Sequence, residues 1–574
     1  MPIRSSMYIL GIWDGTDSGA ALIDSSNIIY ASNEEKFTGI LMEPSFPSNS
    51  IKAALNYANI KPSDVKEIAF CSMDTEGNAR RIAKRLNENI YNYEIGNFGG
   101  PNLEHFKRKI KYISEDIGTS PMCRYLGKNH VYKNLKSLGF RDFNLHEVNS
   151  QLAESALSAF TSPFNDSLVI TMDINGGGLS GIVSTFKKGK LESQINIKPK
   201  NSIGRIYSQA SSILGMHGDL DAKRLMEMSI YSYPYSINDN IIKGILDVDG
   251  TYIHSKYGPL RQYKLLRDIA WKYPKERFSY MVQQEIEYLF SKFTESAIDR
   301  YSIKDIVIGG EIASNTKLNY KIGHTENISN LYISPYPSKG GRALGSAMYL
   351  NYELNGISHY NFIPYLGESY SEEAIEDAAK SNRLKPEREN QKDQAEHAAE
   401  LIEDGNYVLW FQGRSEYSRL GLGNRSILSS TRDDRAKGRL DKYIKREGLF
   451  YNYGASLLSE DASAMTDYEQ GRVQELMSVA HQVKEEAKPA MHSVMRIDGS
   501  VDIQTVSNEN PSFRHLLEHL NHLSGYGSVL NTGMNLSMRS VALTPEDAIY
   551  TMLLSNSKYL FMDGFTFIRK KGIS

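Results

Sequence analysis

This 574-residue chain predicts an α/β protein of more than one domain. Three observations carry that expectation. Short apolar runs end in Asp- and Gly-rich turns and alternate with stretches of helical spacing, as mixed α/β folds require. The pattern of apolar strand, aspartate, Gly-rich turn and second strand occurs at Asp14 and again at Asp173, which suggests a duplicated βββα unit. A polar stretch, Ser381 to Gln394, then precedes a further set of strands and helices, and reads as a linker or an exposed helix start.

Element by element, Met7 to Trp13 is an apolar run. The turn Asp14-Gly15-Thr16-Asp17-Ser18-Gly19 follows, then Ala20 to Ile23 and Ile28 to Tyr30. Runs broken in this way read as strands joined by hairpin turns. Ile51, Ala54, Leu55 and Ala58 have helical spacing, and Lys66 to Met73 reads as a strand. Residues 76–118 are polar, with a basic cluster at Lys107, Arg108, Lys109 and Lys111 that reads as a solvated helix face or a substrate-attracting patch. Leu168 to Asp173 is a strand, with hairpin partners from Ser180 to Phe186 and after Gly189. Residues 276–300 read as a helix, and Asp305 to Gly310 as a strand ending in a glycine pair. The last unit opens with a helix (His397 to Glu403) and a strand (Tyr407 to Phe411) and closes with strands near Val529 and Leu560. Between those two, Thr544-Pro545-Glu546-Asp547 is a helix start: a cap, Pro in the first turn, then acids at the positive end of the dipole.

Composition narrows the class. Hydrophobic residues are 40% and charged residues 23%, the balance of a folded protein. No apolar run approaches the ~18 residues of a membrane span. A net charge of -2 argues against a globally basic nucleic-acid binder. Two cysteines, Cys71 and Cys123, exclude a disulfide framework and a Cys-rich zinc site. The first residues carry Asp14 and Asp17 and no apolar h-region, so a cytoplasmic location without a secretory signal is expected.

Several segments offer chemistry. A tight Gly-rich turn at a strand end presents N–H groups to an anion. Asp14-Gly15-Thr16 and Asp173 with Gly176-Gly177-Gly178 fit two phosphate turns of an actin-like ATPase, and Gly309-Gly310 through Asn315 fits a turn that holds an adenosine. Such turns also occur simply as turns. No Walker loop and no HExxH is present. Arg414 and Arg425 lie in a Gly-rich loop after a strand, which suits a phosphate or carboxylate, or equally a structural ion pair. Asn531-Thr532-Gly533 is another candidate anion-binding turn. His515, His519 and His522 share one helical face, but Leu516, Leu520 and Leu523 form the adjoining apolar stripe, so a solvated face is expected rather than a metal site.

Taken together, LGIWDGTDSGAALI, VITMDINGGG, NSIGRIYSQASSILG, IVIGGEIASN, NLYISPYPSKGGRALGSA, WFQGRSEYSRLGLGNRSIL and VLNTGMN resemble the O-carbamoyltransferase family of nodulation-factor and antibiotic carbamoyltransferases, in the family's order along nearly the whole chain. The resemblance implies an N-terminal actin-like (ASKHA) domain of two similar halves over residues 1–365, a linker over 366–395, and a YrdC-like α/β domain over 396–574. It implies that ATP and carbamoyl phosphate are joined into carbamoyladenylate in the C-terminal domain. The N-terminal domain would move the carbamoyl group to a hydroxyl, using a metal held by two histidines and an aspartate. It implies a homodimer, or a complex with a competent homologue.

The matching positions are uneven. The implied metal ligands fall on Ser150, Glu154 and Lys339, and a histidine of the first turn falls on Thr16, beside Asp17. A metal is therefore not expected here. The resemblance assigns catalysis to Lys339, Glu154, Thr16, Asp17 and Ser150, with Lys339 pairing with Glu154 or steadying an oxyanion. Cofactor binding falls to Asp173, Gly176, Gly177, Gly309, Gly310, Asn315, Gly341, Arg414, Arg425, Ser426, Lys445, Asn531 and Thr532. Three phosphate-directed arginines of the family fall on Leu420, Glu447 and Asp502. The expected function is ATP-linked transfer of a carbamoyl or related acyl group to a hydroxyl or amine of a small molecule. A catalytically degenerate partner subunit, or an enzyme repurposed for a cationic substrate that suits Asp502 and Glu447, are the alternatives.

Overall fold

The computed structural model describes residues 7–96, 120–216, 222–446, 448, 450–469 and 476–569. Lys107 to Lys111 and Glu447 lie outside them. The chain divides into two units, Met1–Glu34 with Met42–Phe362, and Glu35–Leu41 with Ile363–Ser574.

Unit 1 is built on two five-stranded sheets. The first joins β1 (Tyr8–Trp13), β2 (Gly19–Asp24), β3 (Asn27–Asn33), β4 (Glu67–Cys71) and β5 (Asn144–Val148) in the order β3-β2-β1-β4-β5. The second joins β6 (Asp166–Gly176), β7 (Leu179–Lys187) and β8 (Lys190–Ile197). After a small hairpin, β9 (Leu246–Asp249) and β10 (Tyr252–Ser255), it adds β11 (Asp305–Gly309) and β12 (Asn330–Ile333). Its order, β8-β7-β6-β11-β12, repeats the first, with the same antiparallel meander followed by two parallel strands. The duplication suggested by the two Asp-Gly turns is thus a duplication of sheets. The parallel strands are short, nearly continuous apolar runs, Ile68 to Cys71 and Ile306 to Ile308, and successive residues are buried, so both of their faces are covered.

One helix matters most for the site. Arg342–Asn355 packs on β1 and on the helix Ser150–Thr161. Small residues allow the approach: a Cβ at Gly11 would lie 2.0 Å from the Ala343 carbonyl, and one at Gly345 would lie 2.1 Å from the Ala153 carbonyl. Glycine is required at both points because main chain meets main chain.

Unit 2 carries a nine-stranded sheet. Its strands are β13 (Glu387–Arg388), β14 (Val408–Phe411), β15 (Arg425–Ser429), β16 (Gly454–Leu458), β17 (Leu476–Gln482), β18 (Ser500–Val506), β19 (Ser528–Gly533), β20 (Tyr559–Met562) and β21 (Phe565–Ile568). Their order is β13-β21-β20-β14-β15-β19-β16-β18-β17. Alternation along β14 splits the core: Leu409 and Phe411 join one apolar layer, Trp410 and Val408 the other. The first layer includes Ile375, Ala378 and Ala379 of the helix Glu372–Ser381. This corrects the reading of 366–395 as a linker. The segment is polar on one face only, and its apolar face is part of the core. The helix Pro511–Ser524 buries Leu516 and Leu520 against the helix Gln391–Glu403. His515 lies at that seam, 3.0 Å from Glu396, while Leu523 is 45% exposed and does not complete the stripe. The start at Thr544 is a capping box, its hydroxyl accepting from the Asp547 N–H at 3.1 Å.

Candidate functional site

Both strand-end aspartates of unit 1 are buried, and each is paired with an arginine. Asp14 follows β1. Arg81 donates to its carboxylate twice, Nε to Oδ2 at 2.8 Å and Nη2 to Oδ1 at 2.6 Å. Arg81 is delivered by the helix Thr75–Ile82, whose N-cap Asp74 accepts from the Gly77 N–H at 2.7 Å.

Asp173, near the end of β6, is the counterpart. Its Oδ1 accepts from the Glu311 N–H at 2.7 Å. Its Oδ2 accepts from Gln151 Nε2 at 2.5 Å and from Arg342 Nη2 at 2.6 Å. The same guanidinium donates through Nε to Glu154 Oε1 at 2.5 Å and lies over the Trp13 ring at 4.6 Å. The Arg342, Glu154 and Asp173 side chains are 2%, 3% and 0% exposed. Burial opposes the Arg342 charge, but Glu154 and then Asp173 outweigh it and hold the guanidinium more firmly protonated than usual. Burial, and then the Asp173 charge, push Glu154 well above the ordinary carboxylate range, against the pull of Arg342.

This corrects the expected Lys339–Glu154 pair. Lys339 Nζ instead meets Glu311 Oε1 at 2.8 Å. The reason lies in the helix start. Lys339 belongs to the short 3-10 turn Lys339–Gly341, and the helix begins at Arg342. The first helical residue therefore faces Glu154, in the first turns of the neighbouring helix. Glu311 also accepts from the Ile174 N–H at 3.3 Å, so the Lys339–Glu311 pair spans the turn that follows Asp173.

The other positions gather around the same turns. Gly310 has φ 79°, and a Cβ there would lie 2.6 Å from the Met172 carbonyl, so only glycine lets this turn close over β6. Gly309 lies against Ser158, Gly176 against Arg342 and Gln151, and Gly177 against Ser72. Ser150 donates its hydroxyl to the Ser72 carbonyl. Asn315 caps the helix Thr316–Gly323 and exchanges hydrogen bonds with Gln283 at 2.9 and 3.1 Å. Gly341 is packed on Leu157 and Tyr336. Thr16 offers its carbonyl to Trp13 Nε1 at 2.8 Å. Asp17, at φ 62°, accepts from Ser338 Oγ at 2.9 Å, Asn33 Nδ2 at 3.1 Å and Tyr336 OH at 3.2 Å, which fastens the first turn to the loop carrying Lys339.

The residues at the implied metal-ligand positions do not fit a divalent ion. Ser150 is a hydroxyl already donating to a carbonyl, Glu154 is held by a guanidinium, and Lys339 is an ammonium. Among the described residues, no group of three His, Cys, Asp or Glu side chains is placed to hold a metal ion.

In unit 2, Arg425 is wholly buried. Nη1 donates to the Gln412 and Asn424 carbonyls at 2.6 and 3.0 Å, and Nη2 to those of Gly413 and Glu368 at 3.0 and 3.3 Å. Its guanidinium stacks on Phe411 at 3.5 Å. Burial draws it down to about 10, with Glu416 opposing. Arg414 donates to the Leu366 and Gly367 carbonyls at 2.5 and 3.1 Å. Glu416, in the same loop, accepts from the Leu422, Asn424 and Arg425 N–H groups at 2.8 to 2.9 Å. Ser426 accepts from the Gly423 N–H at 2.9 Å. Lys445 donates to the Gly533 carbonyl and to Asn535. Asn531 donates to Ser456 at 2.9 Å, and Thr532 pairs with Ile427 across β15 and β19. Ser426 pairs with Gly533 in the sheet, next to Thr532 and Asn531 on β19, and Lys445 reaches the Gly533 carbonyl from the turn Asp441–Lys445. Asp502 is paired with Arg496 at 2.7 Å, both side chains buried, so its charge is already matched. That removes the ground on which Asp502 favoured a cationic substrate.

Sequence reasoning missed Arg81, Gln151, Glu311, Arg342 and Arg496. Arg342 carried a readable signal. A cation at a helix start opposes the dipole, so a buried one there requires acids facing it.

Family models match both parts of this chain: the carbamoyltransferase N-terminus over residues 8–348 and the carbamoyltransferase C-terminus over 399–570. The chain belongs to the carbamoyltransferase family and is a transferase. The nodulation protein NolNO of Sinorhizobium fredii is 25% identical over 97% of this chain and 79% of its own length. The 3'-hydroxymethylcephem-O-carbamoyltransferase of Streptomyces clavuligerus is 26% identical over 44% of this chain and 46% of its own. Full-length HypF, solved in a phosphate- and nucleotide-bound form, aligns with a TM-score of 0.34 over 62% of this chain and 48% of that one, at 11% identity. Among the described residues, no helix is long and apolar enough to cross a membrane.

Proposed function

We propose that this chain transfers a carbamoyl group from an adenylate to a hydroxyl of a small molecule, with the donor formed from ATP and carbamoyl phosphate. The observation that carries this reading is that both family halves are present in one chain, each on a folded unit with its own core. The duplicated sheets of unit 1 support an actin-like arrangement, in which ligands lie at the strand-end turns, and a YrdC-like fold is the corresponding proposal for unit 2.

In the transfer step the acceptor oxygen bonds to the carbamoyl carbon, its proton passes to water, and AMP departs with the electrons of the broken C–O bond. Negative charge develops on the carbamoyl oxygen. The main-chain N–H groups of the Gly176–Gly178 turn are the donors suited to it. Lys339 is the cation of this turn that a ligand reaches: its side chain is 17% exposed, against 2% for Arg342. Asp17 holds the Lys339 loop through Ser338 and Tyr336.

A second reading, an altered donor, draws on one observation: Arg414 and Arg425 donate to main-chain carbonyls. The deciding experiment measures pyrophosphate release from ATP with and without carbamoyl phosphate, and then carbamoyl incorporation into a panel of polyhydroxylated acceptors. Release that requires both substrates, with incorporation reduced in Lys339→Ala, is expected. No release, and no ATP binding by calorimetry with carbamoyl phosphate present, refutes the reading.

A further inference from the structure

In unit 1 two carboxylates from different elements, Glu154 on a helix and Asp173 on β6, converge on one cation at 2.5 and 2.6 Å. Convergent buried carboxylates are the usual setting of a divalent ion. Here the cation is a side chain. Its planar fork uses Nε for one acid and Nη2 for the other, a geometry that a guanidinium provides and an ammonium does not. Gln151 donates to the Asp173 oxygen that Arg342 also contacts.

We propose that Arg342 takes the place of a divalent metal ion in unit 1, so that this member of the family carries its cation covalently and binds no metal at that site. Three further features agree. The position of the third implied ligand, Lys339, is an ammonium paired with Glu311 and supplies no ligand to the cluster. The face of Trp13 covers the guanidinium at 4.6 Å, so one side of the cation is closed by an aromatic ring. The other half of the duplication uses the same device: Asp14 is closed by Arg81 in a two-point contact, itself 2% exposed. Both strand-end acids therefore have internal counter-ions, and neither offers a carboxylate to a hydrated divalent ion. The inference concerns metal content, so its failure is distinguishable from failure of the carbamoyl-transfer reading.

The test is metal uptake by the full-length protein. The chain is stripped with a chelator, incubated with MnCl2 or ZnCl2 alone, passed through a desalting column, and its bound metal is measured by elemental analysis. Wild type is expected to retain less than about 0.1 equivalent. Arg342→Ala leaves Glu154 and Asp173 facing each other and is expected to retain about 1 equivalent of Mn2+, a roughly tenfold gain, which Arg342→Ala/Glu154→Gln loses. Arg342→Lys keeps a cation and is expected to remain metal-free. One equivalent in wild type that Glu154→Gln removes overturns the proposal, and so does a folded Arg342→Ala that takes up none. Should Arg342→Ala fail to fold, the wild-type and Glu154→Gln measurements decide alone.

Discussion

Arg425 gives the sharpest test of what the unit 2 arginines do. The resemblance makes it a phosphate ligand, whereas its four contacts are to main-chain carbonyls of residues 368, 412, 413 and 424. Arg425→Lys keeps the charge and most of the length but loses the fork. A lysine Nζ cannot replace both guanidinium nitrogens. The Asn424 and Glu368 carbonyls keep the Gln412 and Ser415 N–H groups as donors, so about one of the remaining two carbonyls loses its donor. An unsatisfied buried acceptor costs about 1–3 kcal/mol, which places the penalty near 2 kcal/mol. For a unit of this size, about 2–4 °C is lost per kcal/mol, so a fall in Tm of roughly 4–8 °C is expected. The assay is differential scanning calorimetry of the full chain, with ATP and carbamoyl phosphate affinities measured on the same samples. A Tm within about 1 °C of wild type together with weakened donor binding would show that the guanidinium serves a ligand, and the structural assignment would be wrong.

Two further outcomes follow from other regions. Gly345→Ala places a methyl 2.1 Å from the Ala153 carbonyl and 2.7 Å from its carbon; overpacking outweighs the gain in helix propensity, so a net loss of about 1–3 kcal/mol is expected in urea unfolding, with reduced transferase activity because Arg342 moves with the helix. Glu285 is buried on the helix Lys275–Tyr301, accepts from the Gly244 N–H at 3.3 Å, and is raised from 4.5 to about 7, chiefly by burial. A carboxyl with a raised folded pKa contributes its stability fully below 4.5 and loses it as the pH rises through about 7. Glu285→Gln is therefore expected to match wild type near pH 4.5 and to exceed it by up to about 3 kcal/mol at pH 8.5; equal stability of the two at pH 8.5 would contradict the assignment.

Much of this architecture is visible in the residues themselves. The Asp-Gly turns at Asp14 and Asp173 mark strand ends because aspartate and glycine terminate apolar runs locally, and the repeated strand order follows from repeated local patterns. The helices at Ser48 and Thr544 were legible from spacing and caps, which are interactions within a few residues. The packing of the segment 366–395 is not legible in sequence because its apolar positions, Ile375, Ala378 and Ala379, are sparse. Their burial is decided by the sheet they cover rather than by their neighbours in sequence.

The site divides in the same way. Sequence alone determined that Ser150, Glu154 and Lys339 stand where metal ligands are implied, since this needs only residue identity, and it gave the family to which the two matched halves belong. Only the tertiary structure decided which cation answers Glu154. Lys339 and Arg342 are three residues apart, and the choice depends on where a helix starts and on how closely Gly345 lets it approach Ala153. The same holds for Asp502 with Arg496 and for Asp14 with Arg81. In the latter the partners are 67 residues apart. Charge is written in the sequence, but its neutralisation depends on distance and burial, and those arise only when separate elements pack.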